Sequence, residues 1–68
     1  MFAVANKRDG KVIHTAETLP EALLLARECV RDPEVTQKGD CITISQGSKV
    51  VWKLVMGTNG KVREAPVA

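Results

Sequence analysis

The side chains able to do covalent or metal chemistry are few: the thiols of Cys29 and Cys41 and the imidazole of His14. The thiols could form a disulfide, or they could join His14 in part of a zinc site, which takes about four ligands. The cysteines have no CxxC spacing, and the sequence has no second histidine. We expect two reduced thiols, no metal site, and an exposed His14 that lacks a nucleophile partner.

The other signatures of catalysis are also weak. The five glycines fall at predicted turns or strand ends and do not form a phosphate-binding loop. The sequence has no nucleophile elbow, and its acidic residues concentrate on a predicted helix, whose solvated face needs charge in any case. We therefore expect a protein that is not an enzyme and needs no cofactor.

Charge is the more informative feature. Residues 17–34 contain five acids and two arginines, a sum of −3, whereas the rest of the chain has eight bases and three acids, a sum of +5. The candidate charge contacts fall in two groups: one at a predicted hairpin tip and one on the last three strands. They are Lys7, Arg8 and Lys11 in the first group, and Lys49, Lys53, Lys61 and Arg63 in the second.

Such a basic surface predicts binding to an acidic protein or a nucleoprotein complex. Direct, sequence-independent binding of nucleic-acid phosphate is an alternative, and a third interpretation is that the lysines only maintain solubility. Phe2 and Trp52 are the only aromatic residues. Modules that stack bases place aromatic rings on an open sheet face, so the nucleic-acid interpretation depends on whether Trp52 faces outward.

Three apolar residues are candidates for contacts with a partner: Leu24 on the outer side of the helix, and Val51 and Val55 on the open side of the sheet. Leu24 or an exposed strand edge could support a homodimer or another self-associated structure. The ordinary alternative is that single apolar residues on a surface, and branched residues on exposed strands, need no partner.

A helix is predicted over residues 18–32. Thr18 and Glu21 have the spacing of a capping box, and Asp32-Pro33 ends the helix because a residue before proline avoids the α region. One face is apolar: Leu19, Ala22, Leu23, Ala26 and Val30, with Leu25 and Cys29 on its flank.

Strands are predicted at residues 2–6, 11–17, 41–46, 49–57 and 61–64, separated by turn signals such as Asp9-Gly10 and Asn59-Gly60. The tail, residues 65–68, is expected to fray. In the first hairpin we favour pairing Val4 with Ile13 over pairing Val4 with His14, because that turns the larger aliphatic side chain inward.

In the second hairpin, a three-residue loop pairs Ile44 with Trp52 and Ile42 with Leu54, which gathers the large apolar side chains under the helix. The open face then carries Thr43, Val51, Lys53, Val55 and Arg63. A register shift of one residue would instead turn Trp52 outward.

The fold class follows from this order. We expect a single α+β domain over residues 1–68, with element order ββαβββ: an antiparallel sheet of four or five strands and one helix on one face. No apolar run reaches the roughly 20 residues that span a bilayer, and residues 1–6 are too short for a signal peptide. We expect a cytoplasmic protein without membrane contacts.

The chain resembles small uncharacterised bacterial and phage proteins in three segments: Glu17–Arg27, Asp40–Ser45 and Val51–Val62. These proteins have a first hairpin, a T-x-x-E-A-x-x-x-A helix and a second hairpin ending in x-G-K/R-V/I. The general build is similar to that of small anti-CRISPR proteins. The resemblance implies an accessory protein of a phage or mobile element that acts by binding, and it transfers no functional residues.

Overall fold

A computed structural model describes residues 1–67 of the chain. Within that range the chain forms one helix and five strands, which belong to a single antiparallel sheet. The elements are β1 (Phe2–Asn6), β2 (Val12–Ala16), α1 (Leu19–Arg31), β3 (Cys41–Gln46), β4 (Lys49–Met56) and β5 (Val62–Pro66). The predicted α+β class and ββαβββ order are confirmed.

The sheet has the order β2-β1-β3-β4-β5. β1 pairs with β2 on one side and with β3 on the other, so the first hairpin and the last three strands share one sheet. α1 contacts β1, β2, β3 and β4 from the same side. The opposite side, called the open face from here on, carries no second layer within residues 1–67.

The core lies between α1 and the sheet. Four fully buried strand residues, Val4, Ile42, Ile44 and Leu54, meet a helix face whose buried residues are Ala22, Ala26, Cys29 and Val30. Small alanines at the centre of that face let the helix approach the strands closely, and longer helix leucines cover the sides of the core. The predicted apolar face of the helix is therefore the one that packs.

The ends of α1 match the sequence signals. Thr18 is the N-cap, and the Glu21 N–H donates to its Oγ1 at 3.4 Å. Asp32 adopts an extended conformation as the C-cap. The following loop is fixed by Thr36, whose hydroxyl donates to the Cys29 carbonyl at 2.7 Å. The same carbonyl also accepts the Asp32 N–H at 3.2 Å.

The β3–β4 register is the one predicted: Ile44 is opposite Trp52 and Ile42 is opposite Leu54. Trp52 lies on the α1 side of the sheet and is half-buried. Its ring Nε1 is buried without a hydrogen-bond partner among the described residues.

The predicted β1–β2 register is wrong. Val4 is opposite His14, and a bulge between Val4 and Ala5 places Ala5 opposite Val12. The prediction assumed that Ile13 had to face Val4 to turn inward. The bulge adds one residue to β2, so that Ile13 packs against the core without being opposite Val4. His14 is exposed, as expected.

The expectation of a frayed tail is wrong for residues 65–67. β5 continues through Pro66, with Ala65 opposite Lys53, and the Val67 N–H donates to the Val51 carbonyl at 2.9 Å. A proline is tolerated here because β5 is an edge strand. Ala68 lies outside the described residues.

Candidate functional site

Side-chain alternation along β1 and β3 determines the middle of the open face. In β1 the larger Phe2 and Val4 point toward α1, so Ala3 and Ala5 point away from it. In β3, Ile42 and Ile44 are in the core, and Thr43 and Ser45 lie on the open face. The neighbouring strands β1 and β3 therefore carry only small side chains on that face.

These small side chains form the floor of a depression of about 470 Å³, called the trough from here on. Val12 of β2 borders it on one side, and Val50 and Lys53 of β4 border it on the other. Lys7, at the end of β1, and Val67 also line it. The floor combines the methyl groups of alanines with the small hydroxyl side chains of Thr43 and Ser45, and its surface is mostly apolar. Among residues 1–67, the charged side chains that line the trough are Lys7 and Lys53.

The cations of the open face extend beyond the trough. Arg63 pairs with Val55 in the β4–β5 ladder, and both residues border a second depression, of about 310 Å³, that also includes Lys61. The four basic side chains that line the two depressions of the open face are Lys7, Lys53, Lys61 and Arg63.

Most acidic residues lie elsewhere in the molecule, and the exception is Asp40, which lines a third depression with Lys7, Arg8 and Cys41. Glu64 is on the α1 side of β5, where its carboxylate accepts two hydrogen bonds from Arg27, at 3.0 and 2.6 Å. These bonds hold the pKa of Glu64 below its ordinary value. Asp9 accepts a bond from the Lys11 backbone in the first turn, and Asp40 is held in the loop before β3. The remaining five acids fall in residues 17–34, on and around α1.

Not every predicted charge contact belongs to this face. Lys49 is opposite Gln46 and adjacent to Val50, so alternation places it on the α1 side of the sheet. The Arg8 guanidinium lies 3.6 Å from the Asp40 carboxylate, which offsets part of its charge. Lys11 is exposed in the first turn. The structure thus places Lys7 and Lys53 in the trough and Lys61 and Arg63 in the second depression. Arg8 lies beside Lys7 but next to Asp40, and Lys11 and Lys49 line neither depression.

The predicted apolar contacts are also divided. Val55 is on the open face and 40% exposed, and Leu24 is 60% exposed on the outer side of α1. The placement of Val51 on the open face is wrong. A bulge between Ile44 and Ser45 shifts the register, so that Val50 takes the outward position and Val51 packs against the core.

Asn6 is a residue that the sequence analysis missed. It is only 3% exposed, and its amide donates to the Val35 carbonyl and to the Asp40 carboxylate, both at 3.1 Å. Its oxygen accepts from the Arg8 N–H at 3.0 Å. The Gln37 N–H and the Asn6 amide, with a smaller contribution from Arg8, lower the pKa of Asp40. This network ties the first turn to the loop after α1 and so fixes Lys7 at the end of the trough.

The two thiols are free and lie on opposite sides of the sheet. Cys29 is in the core, where burial, reinforced by the nearby carboxylates of Asp32 and Glu28, raises its pKa. Cys41 is opposite Val55, on the open side. Within residues 1–67, no three His, Cys, Asp or Glu side chains are grouped as a metal site requires, and no helix is long and apolar enough to cross a membrane.

Comparison of the chain with protein-family models, curated proteins and solved structures finds no match. The function must therefore be argued from the geometry and charge of the open face.

Proposed function

We propose that the chain is a small, non-catalytic binding module that contacts an acidic protein, free or as part of a nucleoprotein complex, through its open face. The observation that carries this proposal is the separation of charge across the sheet. The charged side chains that line the two depressions described above are all cations, whereas most acids surround α1 on the other side and Asp40 lies beside Lys7 and Arg8 at one end of the sheet. An accessory protein of phage or mobile-element type, with an inhibitory action like that of anti-CRISPR proteins, is one setting for such a module.

Direct nucleic-acid binding is the second candidate, and the placement of the aromatic residues disfavours it. Phe2 and Trp52 both pack against the core on the α1 side. The open face therefore offers no aromatic ring on which a base could stack, although its lysines could still contact phosphates.

The test compares defined anionic probes by fluorescence anisotropy. The probes are a labelled polyglutamate peptide, duplex DNA, single-stranded DNA and RNA, each titrated with the protein at about 50 and 200 mM salt. We expect measurable binding of the peptide at low salt. Nucleic-acid binding that is tighter than peptide binding, with a steep log–log salt dependence, would replace the proposal with the second candidate.

Two charge-reversal variants show whether the open face is responsible. The first combines Lys53→Glu with Arg63→Glu, on the open face. The second combines Lys38→Glu with Lys49→Glu, at exposed positions outside it. Each pair changes the net charge by −4, from +2 to −2. We expect only the first pair to abolish peptide binding, and equal losses from both pairs would show a net-charge effect with no specific site.

A further inference from the structure

We infer that the trough receives an α-helix of the partner: an amphipathic helix that places apolar side chains on the trough floor and carboxylates beside Lys7 and Lys53. This inference rests on the proposed function and specifies the partner's contact element. It follows from the width of the trough, from the hydrogen-bonding state of the sheet, and from the position of the two lysines.

The width is set by which strands carry small side chains. The floor is formed by Ala3 and Ala5 of β1 and by Thr43 and Ser45 of β3, and larger side chains border it on β2 and β4. Neighbouring strands are about 4.8 Å apart, so the bordering strands are separated by about 14 Å. A helix with its side chains is about 10–12 Å in diameter and fits between them.

Backbone hydrogen bonding distinguishes a helix from an extended segment. β1, β3 and β4 each have a neighbour on both sides, so their backbone groups are already paired within the sheet. An extended segment lying on this face would leave many of its own N–H and C=O groups without partners as they lost water. A helix satisfies these groups internally. Extended peptides instead add to a free strand edge, and the free edge of β2 points away from the trough.

The lysines define the charge of the occupant. Ala5 is opposite Thr43, and Thr43 is opposite Lys53, so Lys53 is two strands away from Ala5 in the same row. Lys7 is two residues beyond Ala5 in the sequence. Standard strand dimensions then place the Cα atoms of the two lysines about 12 Å apart. For a helix that lies along the trough, the two lysines are offset along its axis by two strand residues, about 7 Å, so carboxylates at positions i and i+4, about 6 Å apart along the helix, can approach both.

The sheet already binds a helix in this way on its other side. There, α1 contacts β1, β2, β3 and β4 and buries Ala22 and Ala26 against them. On the α1 side, the helix supplies small residues and the sheet supplies large apolar ones. On the open side, the sheet supplies the small residues, so the larger apolar residues must come from the partner's helix. The complex would be a three-layer arrangement of helix, sheet and helix.

The experiment uses two labelled peptides of the same length and composition, built from Leu, Glu and Ala. In one, Leu and Glu follow a helical period with carboxylates at i and i+4, and a hydrocarbon staple between two olefinic residues holds the helix. In the other, the same residues are scrambled and the two olefinic residues are left unlinked. We expect the stapled helix to bind the wild-type protein at least about tenfold more tightly, a difference of about 1.4 kcal/mol.

A substitution that fills the trough tests whether the helix binds there, and it changes no charge. Ser45→Leu places a large side chain on the floor, and Gln46→Leu makes the same kind of change on the next, exposed residue of β3. Ser45→Leu should weaken binding of the stapled helix about tenfold, and Gln46→Leu should leave it within about twofold. Amide spectra of both variants verify that each remains folded.

The remaining outcomes separate the inference from the proposed function. Equal binding of both peptides, or binding of polyglutamate alone, would overturn the helix inference while the acidic partner stands. Failure of all three peptides would overturn both. If sedimentation shows self-association that Leu24→Ser abolishes, the occupant is α1 of a second copy, and the inference of a separate partner protein is wrong.

Discussion

Replacing Asn6 with alanine should destabilise the protein far more than an asparagine change at the surface. The side chain is 3% exposed and makes hydrogen bonds with the Val35 carbonyl, the Arg8 N–H and the Asp40 carboxylate. A neutral hydrogen bond contributes about 1 kcal/mol net, so the two backbone partners alone account for about 2 kcal/mol. The carboxylate bond adds to this figure.

That loss is large for a chain of this size. Native domains have about 0.05–0.15 kcal/mol of stability per residue, which gives about 3–10 kcal/mol for 68 residues. A loss of about 2 kcal/mol lowers the melting temperature of such a domain by at least about 8 °C. Thermal and urea unfolding followed by circular dichroism measure both quantities.

Asn59→Ala is the matched control. Asn59 is exposed and accepts one hydrogen bond, from the Lys61 N–H at 3.1 Å, so its loss should cost about 1 kcal/mol or less. If the two alanine variants unfold at the same urea concentration, the network around Asn6 does not stabilise the fold as argued. Asn6→Asp adds a second test: it places a carboxylate beside Asp40, so its destabilisation should be greater at pH 7 than near pH 4.

Three further perturbations test local features of the fold. Thr18→Ala removes the N-cap acceptor of α1 and should lower the free energy of unfolding by about 1 kcal/mol in urea titrations, whereas Thr58→Ala in an exposed turn should have little effect. Gly39 has a φ of +91°, so Gly39→Ala should cost about 1–2 kcal/mol in the same assay, and an unchanged midpoint would contradict that conformation. The folded-state pKa values of Asp40 and Glu64 are depressed. These two carboxylates therefore stabilise the fold fully above their unfolded-state pKa values, which are near 4. The stabilisation is lost as the pH falls through the lower folded-state values. Acid unfolding should therefore begin below about pH 4, and Glu64→Gln should flatten the pH dependence.

The sequence predicted those parts of the fold that depend on neighbouring residues or on simple alternation. Thr18 and the Asp32-Pro33 pair mark the ends of α1 through local backbone chemistry. The β3–β4 register followed from the requirement that Ile42 and Ile44 share a buried face with their partners.

What the sequence did not reveal depends on contacts between distant segments. The bulge that lets Ile13 reach the core without being opposite Val4 arises from how the first hairpin fits the sheet. The Asn6–Asp40 contact joins residues 34 positions apart. The trough requires β1 to lie beside β3, which periodicity alone does not specify, although the alternation Phe2-Ala3-Val4-Ala5 already marked β1 as small on its outer side.

The claim that the open face is the binding surface is tested most directly by an amide chemical-shift map of the labelled protein titrated with the stapled acidic helix. We expect the largest shifts on Ala5, Thr43 and Lys53, with small changes on the outer face of α1 around Leu24. Shifts concentrated on α1, or no shifts at peptide concentrations well above the Kd found by anisotropy, would show that the open face is not the binding surface.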